Sequence, residues 1–152
     1  MGTNCIDLVS SVKSTKEGNL DVTLISGGDD HNLNLHELRF PSCQKLSDTR
    51  IINASGSAIK TVACVNAQRI YAAGYDQRLS KWSILRDENG SRLEWQGATF
   101  SECADIADLA IRKTPDGRAD EVVVVGQGLQ MIQFQCPPSE KALELQQQKR
   151  NE

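Results

Sequence analysis

The first residues in this sequence that suggest chemistry are a carboxylate and an indole in the stretch AAGYDQRLSKWSI. These residues, Asp76 and Trp82, are six positions apart, and an even separation places both on one face of an extended chain. A catalytic carboxylate needs a second titratable group to share proton transfer, and the sequence offers no recognisable companion. We therefore interpret Asp76 as a structural acceptor in a tight turn, and we predict that Trp82 is buried in the strand that follows.

The two histidines do not supply the missing companion. His31 falls in a turn and His36 in an alternating segment, and their spacing of five makes them point to opposite faces of an extended chain. A histidine metal pair is therefore not expected.

The five cysteines favour a reducing compartment. Their number is odd, they are widely spaced and they form no Cys-x-x-Cys pair, which argues against a zinc site or a disulfide framework. Cys64 and Cys103 fall in or beside predicted strands, where small core side chains are expected. A hydrolase that uses one of these two thiols is the enzymatic alternative, and thiol labelling would test it.

Two glycines, Gly126 and Gly128, lie in the sequence GQGLQ, which resembles a phosphate-binding loop only superficially. No helix is predicted after them, so the context of such a loop is missing and a tight hairpin turn is the expected structure. We assign no catalytic, cofactor-binding or metal-binding residue, and we expect no cofactor.

Composition and charge limit the partners. The 152 residues suit one domain, 39% of them are hydrophobic, and the formal net charge is −3. The chain as a whole is therefore not a polyanion binder. Arg112, Lys113 and Arg118 surround a Pro-Asp-Gly turn and form the best local candidate for an RNA-facing patch.

The N-terminal segment lacks a basic flank and a continuous apolar run, so we expect a cytoplasmic protein without a membrane partner.

Short apolar segments separated by turn residues indicate an all-β, antiparallel fold with almost no helix. Gly, Asn and Asp dominate the intervening turns because they tolerate the required backbone angles. The predicted strands cover 6–12, 22–27, 33–40, 50–55, 58–65, 69–74, 79–85, 92–100, 106–113, 121–127 and 129–134.

The strands recur in groups of four. The segments GDDHNLNLHEL and GYDQRLSKWSI align at an offset of 46 residues, and the sequence GQGLQMIQF is a weaker third copy without the Asp. A four-stranded unit that recurs every 40 to 50 residues or so is typical of a β-propeller blade. The offset pairs Gly28 with Gly74, Asp30 with Asp76, His36 with Trp82 and Leu38 with Ile84. We predict blades near 5–55 and 58–102, three strands of a third blade in 106–134, and a polar tail in 137–152.

The segments SGGDDHNLNLHEL and AGYDQRLSKWSI resemble the WD repeat. In that family a turn Asp, a strand Trp, a Ser or Thr and a preceding His form a hydrogen-bonded tetrad. The set is incomplete here, because His36 stands where Trp is usual and Ala73 replaces the serine that Ser26 supplies upstream. The resemblance implies a WD-type β-propeller fragment with Asp30, His36, Asp76 and Trp82 as its turn and strand signature.

A narrower resemblance covers about residues 20 to 136. The segment ADIADLAIRKTPDGRADEVVVVGQGLQMIQF is similar to the closing part of the WD-repeat auxiliary subunit of the wobble-position tRNA 2′-O-methyltransferase, and SGGDD and DQRLSKW occur in the same order there. This resemblance implies a non-catalytic subunit that docks an FtsJ-type, S-adenosylmethionine-dependent methyltransferase and helps to present the tRNA anticodon loop. The catalytic residues and the cofactor would belong to that partner.

A generic WD-repeat scaffold for trafficking or signalling is the alternative, since propellers bind many unrelated partners. In either case two blades and three strands cannot close a ring. We therefore expect an open arc whose end faces recruit further propeller blades or another chain.

Overall fold

The structure, a computed structural model, describes residues 2–14, 18–88 and 90–136, with the side chains of 10–14 left out. The tail predicted for 137–152 lies outside the described residues. The described residues form ten strands: β1 (Thr3–Ser14), β2 (Leu20–Gly28), β3 (Leu33–Phe40), β4 (Gln44–Ile51), β5 (Ile59–Cys64), β6 (Arg69–Gly74), β7 (Arg78–Asp87), β8 (Gly90–Phe100), β9 (Ala104–Lys113) and β10 (Ala119–Gln135). The predicted all-β class is confirmed, and no helix that could span a membrane occurs in these ranges.

Two four-stranded antiparallel sheets contain the first eight strands. The first sheet has the order β1-β2-β3-β4, and the second sheet has the order β5-β6-β7-β8. Their registers match at the predicted offset, because Ser26 lies opposite Asn34 in the first sheet and Ala72 lies opposite Ser80 in the second. The residue equivalent to Ser26 is therefore Ala72, and the assignment of Ala73 to that place is wrong.

The third sheet consists of β9 and β10. The first half of β10 pairs with β9, from Asp120 opposite Lys113 to Gln127 opposite Ala104. The N–H of Cys136 donates to the carbonyl of Arg118 at 2.8 Å, so the two ends of β10 lie side by side. A straight 17-residue strand would separate its ends by about 55 Å, so β10 reverses direction near its middle. Strand β9 and the two halves of β10 thus correspond to the three strands predicted for this part of the chain.

The fourth strand was predicted in the wrong place. The fourth strand was expected at 50–55, but β4 covers Gln44–Ile51. Asn53 has a φ of +54°, which ends extended structure just after the strand. The sequence of β4, QKLSDTRI, is mostly polar because β4 is the edge strand of the first sheet.

The three sheets stack in a row, with the second sheet in the middle. Strand β6 of the second sheet is covered on both faces. Ile70 and Ala72 face the first sheet, while Tyr71 and Ala73 face the third, and all four are buried. A strand that is covered on both sides is apolar at every position. The first interface contains Val9, Ile25, Leu33, Leu35, Ile59, Val62, Ile70, Ala72, Trp82, Ile84 and Leu93. The second contains Tyr71, Ala73, Leu79, Cys103, Ile106, Leu109, Val122 and Val124.

Candidate functional site

Asp76 holds a turn and a connection between two sheets. It lies between β6 and β7, where its Oδ1 accepts the N–H of Arg78 at 3.2 Å. Its Oδ2 accepts the hydroxyl of Ser55 at 3.0 Å and the N–H of Gly56 at 2.9 Å, and its own N–H donates to Ser57 Oγ at 2.7 Å. Residues 55–57 connect the first sheet to the second. The carboxylate is thus occupied in fixing this connection, as a structural acceptor would be.

Asp30 is placed in the same way one repeat earlier. Its Oδ1 accepts the N–H of Asn32 at 3.3 Å, and its Oδ2 accepts the Asn32 amide at 2.8 Å. The Oδ1 of Asn32 then accepts the N–H of Asn53 at 3.0 Å. Both acids therefore accept the N–H two residues ahead and close their own turn, while Asp76 contacts the connection directly and Asp30 reaches it only through Asn32. This shared geometry matches the 46-residue offset.

Trp82 lies in β7 within the first interface and is 5% exposed. Its Nε1 donates to Ser80 Oγ at 2.9 Å, and that hydroxyl donates to the carbonyl of Ala72 at 3.0 Å. The indole therefore combines a packed ring with a satisfied N–H, as a buried tryptophan requires.

A cavity of about 740 Å³ lies between the first and second sheets, beside Asp76 and Trp82. Asp76 and Trp82 line it together with Arg78, Trp95 and Ser55. Trp95 is 61% exposed. An exposed indole in a cavity wall suits the binding of a flat or apolar group. His31 also lines this cavity, and the Asp76 carboxylate in it accepts hydrogen bonds from the connection between the sheets.

His36, the second histidine, is hydrogen-bonded on both ring nitrogens. Nε2 lies 3.0 Å from Ser26 Oγ, and Nδ1 lies 2.9 Å from Asp48 Oδ1. Desolvation raises the pKa of Asp48, but the hydrogen bond from Lys45 and the charge of His36 outweigh it and lower that pKa below its ordinary value. Ser26 and His36 occupy the Ser and Trp positions of the WD-type tetrad, whereas Asp48 was not predicted as a member of the group. Its members lie on β2, β3 and β4, so only the register of three strands brings them together.

The glycines of GQGLQ shape the third sheet. A Cβ on Gly126 would meet the carbonyl of Ala104 at 2.5 Å, and Gly128 has a φ of +129° that side chains rarely adopt. Both positions therefore require glycine for close approach and chain reversal. A hairpin turn accounts for them.

Of the two thiols singled out in the sequence, Cys103 is buried and Cys64 is partly buried. Cys103 is 3% exposed and its Sγ donates to the carbonyl of Val124 at 3.6 Å. Desolvation, followed by the charge of Asp7, raises the pKa of Cys64 to about 12. A thiol with such a pKa is protonated at neutral pH and is a poor nucleophile, which argues against Cys64 as the centre of a hydrolase.

The predicted basic patch lies on the hairpin between β9 and β10. Arg112 forms an ion pair with Glu121 at 2.5 Å, and Arg118 lies 3.8 Å from a carboxylate oxygen of Asp116. Acidic neighbours thus reduce the positive potential that Arg112, Lys113 and Arg118 present. An RNA-facing role for the three stays a prediction.

Among the described residues, no group of three or more His, Cys, Asp and Glu side chains is placed to hold a metal ion. No protein-family model and no curated protein matches the sequence.

Proposed function

We propose that this chain is a WD-type β-propeller fragment that acts as a non-catalytic binding subunit for an FtsJ-type methyltransferase in tRNA anticodon-loop 2′-O-methylation. The stacked antiparallel sheets and the equivalent turns at Asp30 and Asp76 support the propeller part of the proposal. The resemblance to the auxiliary subunit of the wobble-position enzyme supports the choice of partner. The role in methylation is to position the enzyme and its tRNA, which raises their effective concentration.

The observation that carries a binding role is the outer face of the first sheet. In the second sheet, the equivalent face holds Ile70 and Ile84, which are 0% and 3% exposed beneath the first sheet. Their counterparts at the 46-residue offset, Leu24 and Leu38, are only partly buried. Within the described part of the chain no sheet packs on this face. Leu24 lies opposite His36, so this open face combines apolar and polar side chains, as binding surfaces do.

Apolar side chains extend that face toward one end of the sheet. Leu8 lies opposite Leu24 and is 47% exposed, and Leu20 lies opposite Phe40 and is 44% exposed. Burial of each such side chain contributes about 1.5 to 3 kcal/mol. The partner methyltransferase would dock here.

A binding measurement tests the proposal. We expect the purified chain to bind a recombinant FtsJ-type tRNA methyltransferase in isothermal titration calorimetry and to increase wobble-ribose methylation, measured by mass spectrometry of the tRNA. Leu20→Glu should weaken binding at least about tenfold, because it buries an unpaired charge. Leu129→Glu is the control, since Leu129 is also an exposed leucine, 71% exposed, but lies on the third sheet.

The absence of a complex, or the same loss in both variants, would contradict the proposal. The generic scaffold would then be the better hypothesis, and capture of a trafficking or signalling protein through the face that contains Leu20 would support it.

A further inference from the structure

We propose that Ser26, His36 and Asp48 form a serine-nucleophile site that reacts with short-chain acyl esters. The connectivity is that of an acyl-transfer triad: Ser26 Oγ lies 3.0 Å from Nε2 of the imidazole, and Nδ1 lies 2.9 Å from Asp48 Oδ1. In this order the carboxylate fixes the ring so that Nε2 can take the hydroxyl proton. The site lies on the outer face of the first sheet, where His36 lies opposite Leu24, so a docked methyltransferase would cover it. The activity therefore belongs to the free chain and goes beyond positioning a methyltransferase.

The second sheet holds different residues at the positions of this group. The three corresponding positions of the second sheet hold Ala72, Trp82 and Trp95, where Trp95 lies opposite Trp82 as Asp48 lies opposite His36. The second sheet forms the same four strands with a methyl group and two indoles at these places. The polar trio of the first sheet is therefore a specific difference between two repeats of one architecture.

A cavity gives the serine a place to meet a substrate. It has a volume of about 250 Å³, and its lining includes Ser26, His36, Asn34, Arg50 and Asp30. Ser26 is 5% exposed, so access to its hydroxyl is narrow. This size and access favour acetyl and similarly short esters.

Two donors in the cavity can stabilise negative charge on a carbonyl oxygen. The Nε of Arg50 donates to Asn34 Oδ1 at 2.8 Å, which fixes the two side chains relative to each other. The amide nitrogen of Asn34 and the guanidinium of Arg50 are both groups of the kind that stabilise an oxyanion.

The reaction is an ester hydrolysis in two balanced halves. A bond forms between Ser26 Oγ and the acyl carbon as the hydroxyl proton passes to Nε2 of His36. The tetrahedral intermediate then loses the alcohol, which receives that proton. Water repeats the sequence on the acyl-serine, and it releases the carboxylic acid and restores Ser26. No oxidant, metal or cofactor takes part.

Labelling of the unmodified chain is the primary test. A fluorophosphonate probe forms an oxygen–phosphorus bond with an activated serine, while the phosphorus–fluorine bond breaks and His36 takes the proton. We expect peptide mass spectrometry to find the adduct on Ser26, and p-nitrophenyl acetate to give a burst of about one nitrophenolate per chain. No adduct, or an adduct only on another residue, would overturn the proposal whatever the variants do.

Variants then test the triad. We expect Ser26→Ala to abolish the adduct, and His36→Gln to slow its formation at least about 100-fold, the usual contribution of a general base. Ser47→Ala is the matched control, because that hydroxyl lies in the same sheet but donates to Glu37 at 2.5 Å. Far-ultraviolet circular dichroism establishes that each variant is folded. Equal labelling rates in the folded His36→Gln variant and the unmodified chain would reject the triad.

Discussion

The two interfaces of the second sheet are built from different chemistry. Toward the first sheet, the centre of the interface is apolar and includes Leu35 and Trp82. Toward the third sheet, it contains an ion pair between Arg69 and Asp120, whose Nη2 and Oδ1 are 3.1 Å apart. Asp120 is 0% exposed. Similar sheets therefore stack in this fold through interfaces of different chemistry.

A tyrosine completes the charged cluster of the second interface. The hydroxyl of Tyr71 donates to Asp120 Oδ2 at 2.9 Å, and its ring lies 5.0 Å from that of Phe134. Burial, followed by the hydrogen bond to Asp120, raises the pKa of Tyr71, so the phenol stays protonated as a donor. Among the described atoms, Arg69 Nε and Asp120 Oδ1 have no hydrogen-bond partner, so charge rather than aligned hydrogen bonding holds the pair. The first interface stabilises by packing, and the second also depends on matched charges.

The largest effect is expected from Asp120→Asn. The substitution keeps the shape of the side chain but leaves Arg69, whose side chain is 19% exposed, without its counter-charge. Breaking a buried pair from one side costs about 3 to 5 kcal/mol, and urea unfolding followed by circular dichroism measures it. Asp87→Asn is the control, because its pair with Arg92 is exposed and such pairs contribute about 0 to 1 kcal/mol. Equal losses in the two variants would remove the contrast between buried and exposed charge.

Leu35→Ala should destabilise the first interface by about 2 to 5 kcal/mol, through lost burial and a cavity. Leu35 is 1% exposed. The more informative variant is Leu35→Met, which conserves volume and should cost less than about 1.5 kcal/mol in the same unfolding experiment. A packed interface tolerates a change of shape at constant volume, whereas a charged one does not tolerate Asp120→Asn. If Leu35→Met cost more than Asp120→Asn, this account of the two interfaces would be wrong.

Tyr71→Phe isolates the hydrogen bond of the charged cluster. The ring and its contact with Phe134 remain, and only the donor to Asp120 is lost. We expect a loss of about 1 to 3 kcal/mol in the free energy of unfolding, the usual result when a buried acceptor loses its partner. In the Asp120→Asn background the same change should cost less, because the two residues share one interaction. Additive losses would indicate that the hydroxyl and the carboxylate act independently.

How much of this could be read from the sequence depends on the range of the interactions. The turns at Asp30 and Asp76 could be predicted because a carboxylate that accepts hydrogen bonds within its own turn is a local feature. The recurrence of this feature at an offset of 46 residues identified it as part of a repeat. The strand that contains Asp120 was predicted to begin at residue 121. That Asp120 is buried against Arg69 depends on how two sheets stack, and no local pattern encodes it.

The candidate site shows the same limit. His36 was interpreted as a replacement for tryptophan, because it aligns with Trp82 at the 46-residue offset. Its partners Ser26 and Asp48 lie ten residues before it and twelve after it, and they meet the ring only because β2, β3 and β4 form a meander. The mostly polar sequence of β4 concealed the strand that carries Asp48. Register, rather than composition, creates the cluster.

The smallest effect concerns the half-exposed pair of His36 and Asp48, whose side chains are 30% and 37% exposed. The pKa of Asp48 is lower in the folded chain than its ordinary value, so the folded state binds fewer protons than the unfolded state. The stabilisation is therefore present above the ordinary carboxyl pKa of about 4 and is lost as the pH falls through the lower, folded value.

In Asp48→Asn the carboxyl is gone, and we expect stability to change less between about pH 5 and pH 2 than in the unmodified chain. Urea unfolding at a series of pH values measures the difference, which should be far smaller than the loss in Asp120→Asn, because solvent screens the exposed pair and not the buried one. Identical pH profiles for Asp48→Asn and the unmodified chain would mean that the contacts of Asp48 with Lys45 and His36 contribute no pH-dependent stability.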